Sequence, residues 1–356
     1  MRDVLDDLLA WWQAGATAGL ALVTATWSSA PRPVGAAMLV GPDGTVVGGV
    51  SGGCVEAAVY EECRLATRTG VARPLRYGVA DPDAYAAGLP CGGSVELIAL
   101  PVSARTSPGL PRLADAVAAG EPAALLTRLG PDAGQTVVTL DDDPAPDVRA
   151  LLDSGTDAVL RSGPDEAVLV NTFPAPPRMI VCGATPHAAA LTRVGALLGY
   201  RVTVCDARPV FATAHRFPGA DVVVDRPDRY LRAEAAAGRL DGRAVVCVLT
   251  HDPRFDVPAL RVALGLPLAY VGAMGSRRAC ADRRDRLRAA GVDATDVARL
   301  AAPIGLDLGG RTPEETAVSI AAEIVAVRRG GTGVPLHYLS RKPSVTVANS
   351  AESPRS

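Results

Sequence analysis

The sequence predicts an α/β protein, with a parallel sheet and flanking helices in its C-terminal half and a smaller α+β domain before it. Three observations lead there. Residues Arg178–Pro209, "RMIVCGATPHAAALTRVGALLGYRVTVCDARP", read as strand, glycine turn, helix, glycine, and a strand ending in an acid, which is a βαβ opening. "RAVVCVLT" (Arg243–Thr250) and "LAYVGA" (Leu268–Ala273) are two further buried-strand candidates. In the N-terminal half, "AAMLVGPDGTVVGGV" reads instead as a hairpin, two apolar runs joined by Pro42-Asp43-Gly44.

Taken in order, "MRDVLDDLLAWWQAG" is an amphipathic helix with acids at Asp3, Asp6 and Asp7 and no cationic leader pattern. "GLALVTATW" (Gly19–Trp27) alternates as a strand, and "SSAPRPVG" is a stiff loop before the hairpin. "VEAAVYEECRLATR" is helical, with Val55, Val59 and Cys63 on one face. "SVELIALPV", "EPAALLTRL" and "QTVVTL" are strands, and Asn171–Arg178 reads as a linker. Near the end, Thr312 caps a helix with Pro313 in its first turn and Glu315 closing a capping box, and Gly330-Gly331 stops it. The boundaries expected are therefore 1–170, a linker at 171–178, a second domain at 179–331, and a polar disordered tail at 332–356.

Composition narrows the function classes. The 356 residues carry a net charge of −2, so there is no basic excess to hold a phosphate backbone, and no nucleic acid is expected as a partner. No apolar run is long enough to span a membrane, and a cytoplasmic protein is expected. Seven cysteines without metal-ligand spacing are then mostly free thiols. The one lysine, Lys342, lies in the tail, so neither a Schiff-base lysine nor a lysine-bearing phosphate loop is on offer.

Five stretches carry chemistry. "SGGCVE" (Ser51–Glu56) and "CGGSVE" (Cys91–Glu96) are near-copies forty positions apart, one opening a helix and one a strand. Convergence of both turns on one mouth facing the C-terminal domain accounts for this better than duplication. The pairs Gly52-Gly53 and Gly92-Gly93 are expected to present backbone N–H groups to a ligand. Cys54, at a helix N-terminus, is expected to be the more reactive thiol and Cys91 the less, although Glu56 opposes a thiolate. The other five cysteines read as small buried hydrophobes. "THDPRFD" and "GAMGSRR" each follow a strand, where ligands of open α/β sheets bind, so His251 and Asp252, and Gly275, Ser276 and Arg277 beside Arg278, are candidate contacts. In the first turn, Gly183 and Ala188 fit a dinucleotide fingerprint and Asp206 falls where a ribose-binding acid belongs. Thr185 replaces the glycine that would face a pyrophosphate, which marks the fold as Rossmann-like and counts against NAD(P).

Taken together, "SSAPRPVGAAMLV", "GGVSGGCVEAAV", "CGGSVEL", "LTHDPRFD", "YVGAMGSRR" and "PIGLDLGGRTPEETAVSIAAEIVA" resemble the xanthine dehydrogenase accessory family, XdhC/CoxI type, in the family's own order from Trp27 to Val327. The resemblance implies an accessory protein rather than a catalyst. Such a protein holds the molybdenum cofactor (molybdopterin), supports its sulfuration with a cysteine desulfurase, and delivers it to an apo-molybdenum hydroxylase of the xanthine or carbon monoxide dehydrogenase type. Under it, Cys54 and Cys91 ligate the metal or carry sulfur, while the glycine turns and Gly275–Arg277 meet the pterin and its phosphate. A homodimer is a further option. Relatives commonly read G-A-G-H-V-A where this chain has Gly183 to Ala188, so this turn departs from the family. The alternative is an NAD(P)-dependent oxidoreductase, with Asp206 on the ribose and His251 as acid/base.

Overall fold

A computed structural model describes residues 1–27, 32–78, 93–130, 133–163 and 166–338. The described residues form two compact units, one from Met1 to Ala175 and one from Pro176 to Tyr338. The first carries helices α1 (Leu5–Gln13), α2 (Glu56–Thr69), α3 (Leu110–Ala119) and α4 (Pro146–Ser154). Its strands are β1 (Ala18–Trp27), β2 (Ala37–Val40), β3 (Val46–Gly48), β4 (Arg73–Tyr77), β5 (Ser94–Val102), β6 (Ala123–Leu129), β7 (Gln135–Thr139), β8 (Ala158–Arg161) and β9 (Ala167–Phe173).

These strands make two antiparallel sheets, ordered β3-β2-β1-β5-β4 and β7-β6-β9-β8. The expected hairpin is β2–β3, with Leu39 opposite Val47. Alternation decides which residues meet. Leu20 and Leu22 of β1 join Leu125, Leu169 and Phe173 of the second sheet and Leu8 and Leu113 of the helices in one core. Ala21 and Val23, on the opposite face, join Val59 and Cys63 of α2. Because both faces of β1 are covered, its first residues are apolar without a break.

The expected linker is shorter than 171–178. Strand β9 runs through Phe173, and only Pro174–Pro177 separates it from the next strand. Asn171 is fully buried, and its amide donates to the Gly35 carbonyl and the Asp157 carboxylate. The Thr172 N–H and hydroxyl donate to the same carboxylate. The sheet ends where proline can no longer donate.

The second unit holds β10 (Arg178–Cys182), α5 (Pro186–Leu197), β11 (Arg201–Asp206), β12 (Asp221–Val224), α6 (Pro227–Ala236), β13 (Val245–Val248), α7 (Pro253–Leu264), β14 (Tyr270–Ala273), α8 (Arg277–Ala289), α9 (Ala294–Ala298), β15 (Leu300–Ala301) and α10 (Pro313–Arg329). Every strand pair is parallel, and the sheet order is β12-β11-β10-β13-β14-β15. Counted from β10, that is 3-2-1-4-5-6, the order of a Rossmann sheet, with its reversal point between β10 and β13. Helices α5 and α10 cover Met179, Val181, Val245 and Cys247 on one face. Helices α6, α7 and α8 cover Ile180, Cys182, Val246 and Val248 on the other. Two covered faces explain runs such as "VVCV" that do not alternate. The capping box at Thr312 and Glu315 is present. The tail expected to be disordered from Thr332 keeps a 3-10 turn at Leu336–Tyr338. Beyond residue 338 that expectation lies outside the described residues.

Candidate functional site

The turn before α2 departs from its expected use. The N–H groups of Ser51, Gly52 and Gly53 donate to the Glu56 carboxylate at 2.8, 2.9 and 2.8 Å, and those of Val50 and Val55 at 3.3 and 3.2 Å. The Ser51 hydroxyl adds a sixth bond at 2.6 Å and also accepts the Cys54 N–H at 3.2 Å. With Gly52 at φ 102° and Gly53 at φ 119°, consecutive N–H groups curl around one point, a conformation that side chains disfavour. The donors expected to face a ligand are thus turned onto the chain's own carboxylate, because Glu56 sits one turn ahead on α2 and reaches them without tertiary help. Burial works against that charge, but the Ser51 hydroxyl and the N–H groups outweigh it and hold the Glu56 pKa at about 2. The carboxylate therefore fills the helix N-terminus that was expected to favour a Cys54 thiolate. Cys54 itself is half-buried, packed against a cluster containing Val55 and Val59.

Cys91 and Gly92 lie outside the described residues, so the meeting of the two hexapeptides is described only in part. Gly93 leads into β5. Val95 is buried in the same cluster as Val55, so the valines of the two copies share one core. Glu96 faces Arg76 at 3.8 Å. The remaining cysteines, at 63, 182, 205, 247 and 280, are buried as expected. Burial pushes the Cys63 and Cys247 thiols up to about 12.

In the second unit, a cavity of about 260 Å³ opens at the carboxyl ends of β10, β11 and β13. Thr185, Asp206, Arg208, Thr250, His251 and Phe255 line it. It sits at the sheet's reversal point, where open α/β folds bind ligands. The turn that would hold a pyrophosphate has little left to offer. The Ala184 N–H donates to Asp206 at 2.8 Å, the Thr185 N–H to the Gly183 carbonyl, and the Ala188 N–H to the Thr185 hydroxyl, while Pro186 has no N–H. Gly183, at φ 109°, lies against Thr250, where a Cβ would meet Cγ2 at 2.4 Å.

Asp206 ends β11 as expected, yet it too is occupied. The Arg208 guanidinium donates to it through Nε at 2.9 Å and Nη2 at 2.8 Å, and the Arg208 N–H adds a third bond. Burial opposes the charge, but the Arg208 guanidinium and the Ala184 N–H outweigh it and hold the carboxyl below its usual range.

His251 is exposed at the cavity rim, and Asp252 caps α7 while pairing with Arg254 at 2.6 Å. Ser276 caps α8, and Arg277 and Arg278 are exposed with no ion pair among the described residues. The stretches "THDPRFD" and "GAMGSRR" are joined underneath by a contact the sequence did not single out. Buried Asp256 receives the Thr250 hydroxyl and the Arg283 guanidinium, the latter at 2.8 Å, and Arg283 also donates to the Met274 carbonyl at 3.0 Å. Desolvation raises the Asp256 pKa despite Arg283. His251, Asp256, Arg283 and Arg286 border a second hollow of about 220 Å³. Arg208, Asp256 and Arg283 were missed; the available signals were an arginine two places after the strand-ending acid and a second acid within "THDPRFD". Among the described residues, no group of three or more His, Cys, Asp or Glu is gathered as metal ligands. No helix there is long and apolar enough to cross a membrane.

Comparison with known proteins agrees with this architecture. The chain is 28% identical over 328 residues to the molybdenum cofactor insertion chaperone PaoD of Escherichia coli strain K12, covering 92% of this chain and 88% of that one. It is 25% identical over 320 residues to a probable xanthine dehydrogenase subunit of Bacillus subtilis strain 168, covering 87% and 93%. A crystal structure described as a xanthine dehydrogenase from Bacillus halodurans shares the fold, with a TM-score of 0.68 at 24% identity over 92% of this chain and 96% of that one. Residues 179–324 match the XdhC Rossmann domain and residues 11–78 match the XdhC and CoxI family. With these two stretches matched in order, the chain belongs to the XdhC and CoxI family.

Proposed function

We propose that this protein is a chaperone that carries the molybdenum cofactor as cargo and inserts it into an apo-molybdenum hydroxylase of the xanthine or carbon monoxide dehydrogenase type. The observation that carries the reading is the near full-length likeness to a protein named as a molybdenum cofactor insertion chaperone. The chemistry of the side chains is compatible. The cargo brings its own dithiolene ligands, so the protein needs to add little to the metal. Cys54 is a half-buried soft donor on a turn whose Gly53 has open space around it. The cavity at the sheet's reversal point offers room for a polar ring system. Sulfuration of the cargo, with a cysteine desulfurase as second partner, belongs to the same proposal, with Cys54 and Cys91 as the candidate sulfur carriers. His251, Asp252 and Gly275–Arg277 remain candidate cofactor contacts. The NAD(P)-dependent oxidoreductase alternative gains no support from a turn whose N–H groups at Ala184, Thr185 and Ala188 are already spent on Asp206, Gly183 and Thr185.

The test is made on full-length protein purified from a molybdate-fed host. Acid-released pterin is expected to co-purify with it, and bound cofactor is expected to protect Cys54 from alkylation. Cys54→Ala and Cys91→Ala are expected to fold normally and fail to activate the partner hydroxylase. Full activation by both variants, or alkylation of Cys54 only after unfolding, would overturn the assignment of these thiols.

A further inference from the structure

Arg208 is fixed on one edge and one face. Its Nε and Nη2 are held by the Asp206 carboxylate. Its guanidinium carbon lies 4.5 Å from the centroid of the Phe211 ring. Arg208 lines the cavity. Its Nη1 has no hydrogen-bond partner among the described residues. A planar cation locked in this way has lost its rotamer freedom before any ligand arrives, which is the costly part of holding one.

The rest of the cavity says what such a cation would meet. The formal charges around it cancel in pairs, Arg208 with Asp206 and Arg254 with Asp252. At the first turn of α5 the N–H groups of Ala184, Thr185 and Ala188 are spent and Pro186 has none, which leaves the His187 N–H, and the Thr250 hydroxyl is committed to Asp256. A phosphate dianion would find one half-neutralised cation, the single N–H of His187 and two carboxylates. A flat, uncharged heteroaromatic ring finds more. Leu249, Pro227 and Phe255 supply an apolar slot, and the open guanidinium edge suits a ring oxygen and nitrogen set side by side.

We infer that this cavity is the subsite for a fused heteroaromatic ring carrying a lactam oxygen beside a ring nitrogen, with Arg208 as the residue that fixes it. In a cofactor carrier this ring is the pterin of the cargo, so the inference rests on the proposed function for the ligand's source. The same chemistry occurs in a guanine base. It places the ring, rather than the phosphate, at the first βα turn.

The test titrates unsubstituted pterin into the full chain and follows quenching of pterin fluorescence, with Arg208→Ala and Arg208→Lys beside the wild type. Arg208→Lys keeps a cation opposite Asp206, so the fold is preserved while the planar fork is lost. Saturable quenching by the wild type is expected, with at least an about tenfold loss of affinity in both variants and no displacement by millimolar inorganic phosphate. GMP as competitor separates the two sources: stronger displacement by GMP than by free pterin assigns the slot to a guanine nucleotide, and weaker displacement assigns it to a pterin. No saturable quenching, equal affinity in Arg208→Lys, or displacement by phosphate overturns the inference. If protein from the molybdate-fed host carries pterin and Arg208→Lys carries as much, the subsite is wrong and the chaperone reading stands. If no form carries the cofactor while free pterin binds in an Arg208-dependent way, the subsite stands and the chaperone reading falls.

Discussion

Two glycine turns at helix N-termini, one in each unit, reach the same electrostatic end by different routes. Before α2, five N–H groups close on Glu56, an acid from the helix's own first turn. Before α5, the Ala184 N–H is taken by Asp206, which arrives from the next strand of a parallel sheet. Both turns look like anion sites in the sequence, and both already hold an anion. The difference lies in what each acid leaves nearby. Glu56 leaves a half-buried thiol at Cys54, whereas Asp206 brings a fixed guanidinium to a cavity. A local acid closes a turn, and an acid from another strand builds a wall.

The contrast between a deep and a shallow acid is sharpest at Asp256. Asp256→Ala leaves Arg283 buried without its partner, and the C-terminal unit is expected to lose about 3–5 kcal/mol in urea unfolding. A loss below about 1 kcal/mol would show that the two motif-bearing loops are not joined through this pair.

Adding a methyl group separates the two turns next. Gly183→Ala places Cβ against Thr250, whose hydroxyl is committed to Asp256 and resists swinging away. A cost of roughly 2–4 kcal/mol is expected from strain plus overpacking. Gly53→Ala has a similar φ but open space, so only backbone strain of about 1–2 kcal/mol applies. Equal costs would erase the distinction between a packed turn and an open one.

Glu56 gives a pH signature. Its folded pKa of about 2 lies below the ordinary 4.5, so the charged carboxylate stabilises the turn above about pH 4.5. That contribution is lost as pH falls from there through 2. Partial exposure screens it to an effect on the order of 1–2 kcal/mol. Glu56→Gln should show lower stability at neutral pH and a flatter profile across that window. An identical profile would mean the nest is not closed by charge.

The smallest effect is expected at Thr185. Replacing an N-cap threonine by glycine costs a few tenths of a kcal/mol. Thr185→Gly restores the fingerprint yet should gain no NAD(P) affinity by calorimetry, since Pro186 and Asp206 still hold the turn. Low-micromolar binding by this variant would restore the oxidoreductase reading.

Elements whose causes are local could be read directly from the chain. Pro42-Asp43-Gly44 set the hairpin, because few backbones other than a tight turn suit that triplet. Thr312, Pro313 and Glu315 set the start of α10, because the cap and its acid lie within one helical turn. Uninterrupted apolar runs such as "VVCV" announced a sheet covered on both faces. The family was legible as well, since six stretches in order carry it. Folding settled where hydrogen-bond donors point and which charges meet. Asn171 became part of a strand because Asp157 and Gly35 were there to receive its neighbours' bonds and its own. Asp256 and Arg283 stand 27 positions apart on different helices, so no periodicity relates them before the sheet forms. Donor satisfaction depends on the final position of every neighbour. A glycine turn can therefore be read from one sequence, whereas the identity of the anion that fills it required the fold.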